Sequence, residues 1–150
     1  MSSPDAAELG RRLDELLAAA EELIRPVSEA VMATPGPGGA GNLRDAAFQL
    51  FRLGLGFVDG MDRGRLAGDG RSERAPEDLR DGASVARYGA LVRGRVGGWF
   101  EGAGPGELAR IIDTPDGPRP GRELLDQVVA QAAGRLRLLQ GVLGRLEGTS

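Results

Sequence analysis

Apolar residues recur at the spacing of a helix face in four separate stretches of this chain, and nowhere do they alternate over a strand's length. The first stretch, roughly 5–33, opens on Ser-Pro-Asp and carries Leu13, Leu16, Leu17, Ala20, Leu23, Ile24, Val27 and Val31 on one stripe. Pro26 lies within it and predicts a kink, because its ring blocks a backbone hydrogen bond. The second, 42–61, starts at Asn42 as N-cap and turns Leu43, Ala46, Ala47, Leu50, Leu53, Phe57, Val58 and Met61 inward. Gly54 and Gly56 either weaken this helix or let another approach it. The third, 81–100, presents Val85, Tyr88, Val92, Val96 and Trp99. The fourth, 121–145, presents Leu124, Leu125, Val128, Leu138, Leu139 and Val142, continued by Leu146. The expectation is one all-α domain over 1–150, a four-helix bundle.

The connections differ in kind. Residues 34–41 are a Pro/Gly linker, and Gly36-Pro-Gly-Gly-Ala-Gly41 matches the dinucleotide-binding pattern G-x-G-x-x-G only literally. That motif needs a preceding strand, and here a helix precedes it. Residues 62–80 are polar, charged and rich in glycine, which predicts a mobile connection, either a lid or a solvated loop. Residues 107–112 read as a short helical turn or an extended piece, and 113–118 as turn chemistry.

The chemistry open to the chain is narrow, because it contains no histidine, lysine or cysteine and all 19 basic residues are arginine. A histidine base, a cysteine or lysine nucleophile, the P-loop lysine and every nitrogen or thiolate metal ligand are thereby excluded. Carboxylates remain, yet no D-x-D-x-D-G loop occurs, and Asp59 with Asp62 is too thin a set for a hard cation. No metal and no cofactor are expected. A net charge of −3 with interspersed signs gives no basic face for nucleic acid. The stretch 5–33 is acidic, with seven acids against three arginines, and reads as a solvated face. No apolar run approaches the roughly 20 residues of a membrane span, the N-terminus lacks a signal pattern, and a chain without cysteine fits the cytoplasm.

A few polar residues fall where the pattern expects apolar ones. Projected at about 100° per residue, Gln131 and Arg135 lie within the arc of Leu124, Val128, Leu138 and Val142. An arginine there must snorkel or find a partner. Gln49 sits at the edge of the inward arc of the second helix, and Tyr88 and Arg95 share a side of the third with Trp99. These five residues are the candidate site, a polar cluster between the last three helices. The alternative is a structural network with Arg135 paired to Asp45, Asp59 or Glu21.

Three runs carry a family resemblance: residues 113–139 (DTPDGPRPGRELLDQVVAQAAGRLRLL), 78–93 (DLRDGASVARYGALVR) and 42–53 (NLRDAAFQLFRL). They resemble the DinB-like family, the first in its C-terminal signature, where a Gly-Pro turn and a Glu-Leu-Leu helix start lead to a His-x-x-x-His pair. The resemblance implies a bundle of the DinB-like type, with metal-ligand positions at Gln49, Gln131 and Arg135. Family members hold a divalent metal there, some act with a low-molecular-weight thiol as co-substrate, and many pair as homodimers. None of the three positions keeps its histidine, and a guanidinium repels a cation and cannot ligate it.

The functional expectation follows from that substitution. Arg135 would take over the cation's electrostatic role and hold a small anionic organic ligand, oriented by the Gln49 and Gln131 amides, with Tyr88 supplying a hydroxyl. The protein would then be a small-molecule binder or a metal-independent isomerase, cyclase or transferase. The alternative is a non-catalytic pseudoenzyme or protein-interaction module, its core filled by Phe48, Phe51, Phe57 or Trp99.

Overall fold

The structure, a computed structural model, describes residues 6–37, 41–66, 74–104 and 106–148. Among these the order is α1 (Ala6–Ile24), α2 (Glu29–Met32), α3 (Leu43–Arg63), α4 (Gly82–Gly102), a 3-10 turn (Glu107–Ala109), β1 (Ile111–Thr114), β2 (Gly117–Pro120) and α5 (Gly121–Gly148). The fold is mostly helical. The four long helices pack so that α1 and α3 each lie against both α4 and α5. That arrangement puts α4 and α5 at opposite corners.

The starts of α3 and α4 follow from local chemistry. Asn42 caps α3 by accepting from the Asp45 amide at 2.8 Å, and the Asp45 carboxylate accepts the Asn42 amide in return. Asp81 and Ser84 make the same reciprocal box at the start of α4. Pro26 terminates α1 outright instead of kinking it. Only a single turn, α2, follows, capped by Ser28. The Ser-Pro-Asp start lies outside the described residues. The break has a use, because the freed Val27 carbonyl accepts the Gly82 amide at 2.8 Å. A Cβ on Gly82 would lie 1.7 Å from the Ile24 carbonyl oxygen, so only glycine lets α4 start against the end of α1.

The core is continuous. Leu9, Leu13, Leu17, Ala20 and Ile24 of α1 are buried together with Leu50, Phe51, Phe57 and Met61 of α3. A fully buried side chain of this size stabilises by about 2 kcal/mol. Gly54 fits between Leu17 and Val96, whereas Gly56 meets nothing within 4 Å. On α5 the buried seam runs through Leu125, Ala132, Leu136, Leu139 and Leu143, with Leu124 beside it. Leu138, expected inward, is 54% exposed. The helix is leucine-rich on two adjoining faces, and the arc drawn through Leu124, Val128, Leu138 and Val142 is centred on the wrong one.

No strand was expected, yet β1 and β2 form an antiparallel hairpin pairing Ile111 with Pro120 and Thr114 with Gly117. Its turn uses Gly117 at φ 110° and the Thr114 hydroxyl, which donates to the Gly117 carbonyl at 2.6 Å. Residues 62–80 are tied down at both described ends. The Leu66 amide donates to the Asp113 carbonyl at 2.7 Å, and the Ala75 amide donates to Asp45 Oδ1 at 2.9 Å. The expected mobile connection is therefore anchored at 62–66 and 74–80, and its middle lies outside the described residues. No helix among the described residues is long and apolar enough to cross a membrane.

Candidate functional site

Two of the five candidate residues meet. Gln49, buried on α3, accepts a hydrogen bond through Oε1 from Arg135 Nη1 at 3.2 Å, across the α3–α5 seam. Arg135 is half-buried, one position ahead of the seam residue Leu136. Gln131 is exposed and does not join them. It precedes the buried Ala132 and stands on the solvent side of the seam, a consequence of the same misplaced arc.

Tyr88 and Arg95 are drawn elsewhere. The Tyr88 ring packs on Phe48 at a centroid distance of 5.0 Å and edge-on to Phe51 at 6.5 Å, as a half-buried part of an aromatic wall. Arg95 is exposed and pairs with Asp62 at 3.2 Å and Asp59 at 3.8 Å on the last turns of α3. The polar cluster expected between the last three long helices thus reduces to one pair, Gln49 and Arg135. Phe51 is fully buried against α4, where a Cβ on Gly89 would come within 2.5 Å of its ring.

Two clefts open elsewhere among the described residues, and neither is lined by Gln49, Gln131 or Arg135. One, of about 330 Å³, is polar and lies near Glu29, Asn42, Arg44 and Arg80. Arg44 there donates to the carbonyls of Pro76 and Leu79, so its charge stitches α3 to the segment before α4. The other, of about 450 Å³, lies between the start of α1 and the end of α4 and is predominantly apolar. Its volume is within the range of small-molecule sites.

The apolar cleft is built by contrast in side-chain size. Trp99 and Phe100 project from the last turns of α4, edge to face at 5.0 Å, and both pack on Phe57. Opposite them α1 offers the small residues Ala7 and Gly10, with Arg11 and Asp14 beside them, and a Cβ on Gly10 would lie 3.1 Å from the Phe100 ring. Gly97, also at the cleft, has open space where a side chain would stand. Leu108, from the 3-10 turn, is buried beside the aromatic residues.

Charges ring this apolar floor. Asp14 is held by Arg93, whose Nε reaches Oδ1 at 3.0 Å and Nη2 reaches Oδ2 at 3.2 Å. The hydrogen bond to Asp14, with further help from Glu21, raises the Arg93 guanidinium above its ordinary value against the opposing effect of burial. Arg11 lies 3.9 Å from Glu15, and Glu101 forms no ion pair among the described residues. The inward position of Trp99 is legible in the helical pattern of the third stretch, whereas the cleft is not. The signal present in the sequence is Trp99-Phe100 one residue before Gly102-Ala103-Gly104, together with Ala6, Ala7 and Gly10 in the first turns of α1.

Among the described residues no group of three or more carboxylates is arranged to hold a metal ion. Comparison of the chain with protein-family models, with curated proteins and with solved structures finds no match.

Proposed function

We propose that this chain is a small-molecule-binding protein that acts by non-covalent binding, and that its site is the aromatic cleft between α1 and the end of α4. The helical scaffold is read as DinB-like on the three runs quoted above. The observation that carries the functional reading is the cleft itself: about 450 Å³ of mainly apolar space beside Trp99 and Phe100, ringed by few polar groups. The α3–α5 seam offers less. Its two polar residues bond to one another, and neither lines either of the two clefts.

A neutral apolar probe such as N-phenyl-1-naphthylamine tests this. Trp99 is the only tryptophan and lines this cleft, so its emission reports a bound probe, and the Gly97→Leu variant separates binding here from binding elsewhere. Wild type should take up one probe per chain with quenching of Trp99. Gly97→Leu fills the cleft from an exposed position and should abolish uptake without loss of stability. Equal uptake by the variant would refute the assignment.

A second reading keeps the site at Arg135, supported by a half-buried guanidinium whose direction is fixed by a buried amide. Arg135 would then hold a small organic anion. Calorimetric titration of wild type and Arg135→Ala with short carboxylates separates the two readings. Binding by wild type that the variant loses supports the second, and identical behaviour eliminates it.

A further inference from the structure

We infer that the aromatic cleft selects an organic cation, an apolar or aromatic body bearing a protonated or quaternary amine. The inference rests on the reading of the cleft as the binding site and concerns what that site prefers.

Charge around the cleft is unequally compensated. The Asp14 carboxylate is largely answered by the two bonds from Arg93. Arg11, the one cation lining the cleft among the described residues, leans toward Glu15 on its own helix. Glu101 is different: it is exposed, lines the cleft, and has no ion-pair partner among the described residues. Its position adds to a second negative source. The 21-residue helix α4 ends at Gly102, with no basic residue in its last turn and an extended C-cap at Ala103. Its terminal carbonyls carry the partial negative charge of the helix end with no basic residue in that last turn to offset it, while the opposite partial charge at the start of α1 is met by Glu8 in its first turn. Ala103 and Gly104, which follow that end, line the same cleft.

The aromatic residues point the same way. The face of an indole ring is its negative region, and tryptophan is the strongest of the aromatic residues as a partner for a cation. Trp99 stands edge to face with both Phe57 and Phe100, at 5.5 and 5.0 Å. A bound ammonium near Glu101 would meet a carboxylate, the helix end and an aromatic ring together, while its apolar body covered Val96 and Leu108. An anion would face all three with the wrong sign and have only Arg11, exposed on α1 and 3.9 Å from Glu15, in its favour.

The test uses Trp99 fluorescence and three probes of one shape: benzyltrimethylammonium, benzyl alcohol and benzenesulfonate. The cation should bind about tenfold more tightly than the neutral alcohol, and the sulfonate more weakly than either. Glu101→Gln, an exposed change that spares the core, should cut the cation's affinity about threefold and leave the alcohol unchanged. If alcohol and cation bind equally, or the sulfonate binds best, the cation assignment fails while the cleft remains a site. If no probe perturbs Trp99, both the assignment and the cleft reading fail. A Trp99 spectrum that shifts on dilution of the protein alone would mean that a second copy of the chain fills the cleft, which also overturns the assignment.

Discussion

The guanidinium of Arg93 on α4 grips the carboxylate of Asp14 on α1 with two bonds, Nε to Oδ1 at 3.0 Å and Nη2 to Oδ2 at 3.2 Å. Its remaining terminal nitrogen, Nη1, reaches Glu21 Oε2 at 3.0 Å, two turns further along α1. The two carboxylates are not equivalent. The Asp14 side chain is 49% exposed and that of Glu21 only 5%. Glu21 Oε1 is buried with no hydrogen-bond partner among the described residues, and the only other cation nearby is Arg25, at 3.9 Å. Removing Arg93 therefore strands a buried charge, whereas removing Asp14 leaves Arg93 still able to serve Glu21. Arg93→Leu should cost about 2–3 kcal/mol and Asp14→Asn about 1 kcal/mol, read by urea unfolding. Equal losses would mean that Glu21 regains water when Arg93 is gone.

The glycines of α4 separate into those that packing requires and those it does not. A Cβ at Gly89 would meet the ring of fully buried Phe51 at 2.5 and 2.6 Å, with no free volume to retreat into. Gly89→Ala should destabilise by about 1–3 kcal/mol, the usual cost of overpacking. Gly94, five residues on, meets nothing within 4 Å and is exposed. Gly94→Ala should stabilise by about 0.5–1 kcal/mol through reduced backbone entropy in the unfolded chain. Thermal unfolding of the two variants should thus shift in opposite directions.

These glycines also mark how far the sequence could be read. The four long helices were legible because each carries enough apolar residues at helical spacing, and the caps at Asn42 and Asp81 have the right chemistry three residues ahead of Asp45 and Ser84. Of the hairpin only the turn within 113–118 was legible, because its strands are four residues long and β2 contains Pro118 and Pro120, tolerated only in an edge strand. Pro26 was visible, but whether it kinks or ends a helix depends on what receives the freed carbonyl. Here Gly82, distant in sequence, receives it. Gln49 and Arg135 were found as polar residues on apolar faces, and they do meet. Gln131 was misplaced because Leu136, Leu138 and Leu139 allow two seams on α5, and only packing against α1 and α3 chooses between them. The aromatic cleft is a property of small residues on one helix facing large ones on another, a tertiary fact that no single stretch records.

Gln49 and Arg135 bond across 86 positions of sequence. If the bond fastens α3 to α5, the two residues are energetically coupled. A double-mutant cycle with Gln49→Leu and Arg135→Met keeps side-chain volume while removing the polar groups. Each single change should cost about 1–2 kcal/mol, because each leaves the other's polar group less well satisfied. The pair together should cost less than the sum by about 1 kcal/mol. Strict additivity would show that the contact contributes nothing to holding the helices together.

Asp81 gives the fold a specific acid sensitivity. Its carboxylate accepts the Ser84 amide at 2.9 Å, and this bond is the main reason its pKa lies below the ordinary 3.8. The charged form is favoured by folding, so the contribution is fully present above 3.8 and fades as pH falls through the lower folded value. Asparagine at this position caps a helix equally well but does not titrate. Urea unfolding of wild type and Asp81→Asn should therefore agree most poorly at neutral pH, where the charged cap also interacts favourably with the helix N-terminus. The two should converge as the solution is acidified well below 3.8. A difference that stays constant with pH would show that the cap works through its geometry alone, with the charge on Asp81 adding nothing.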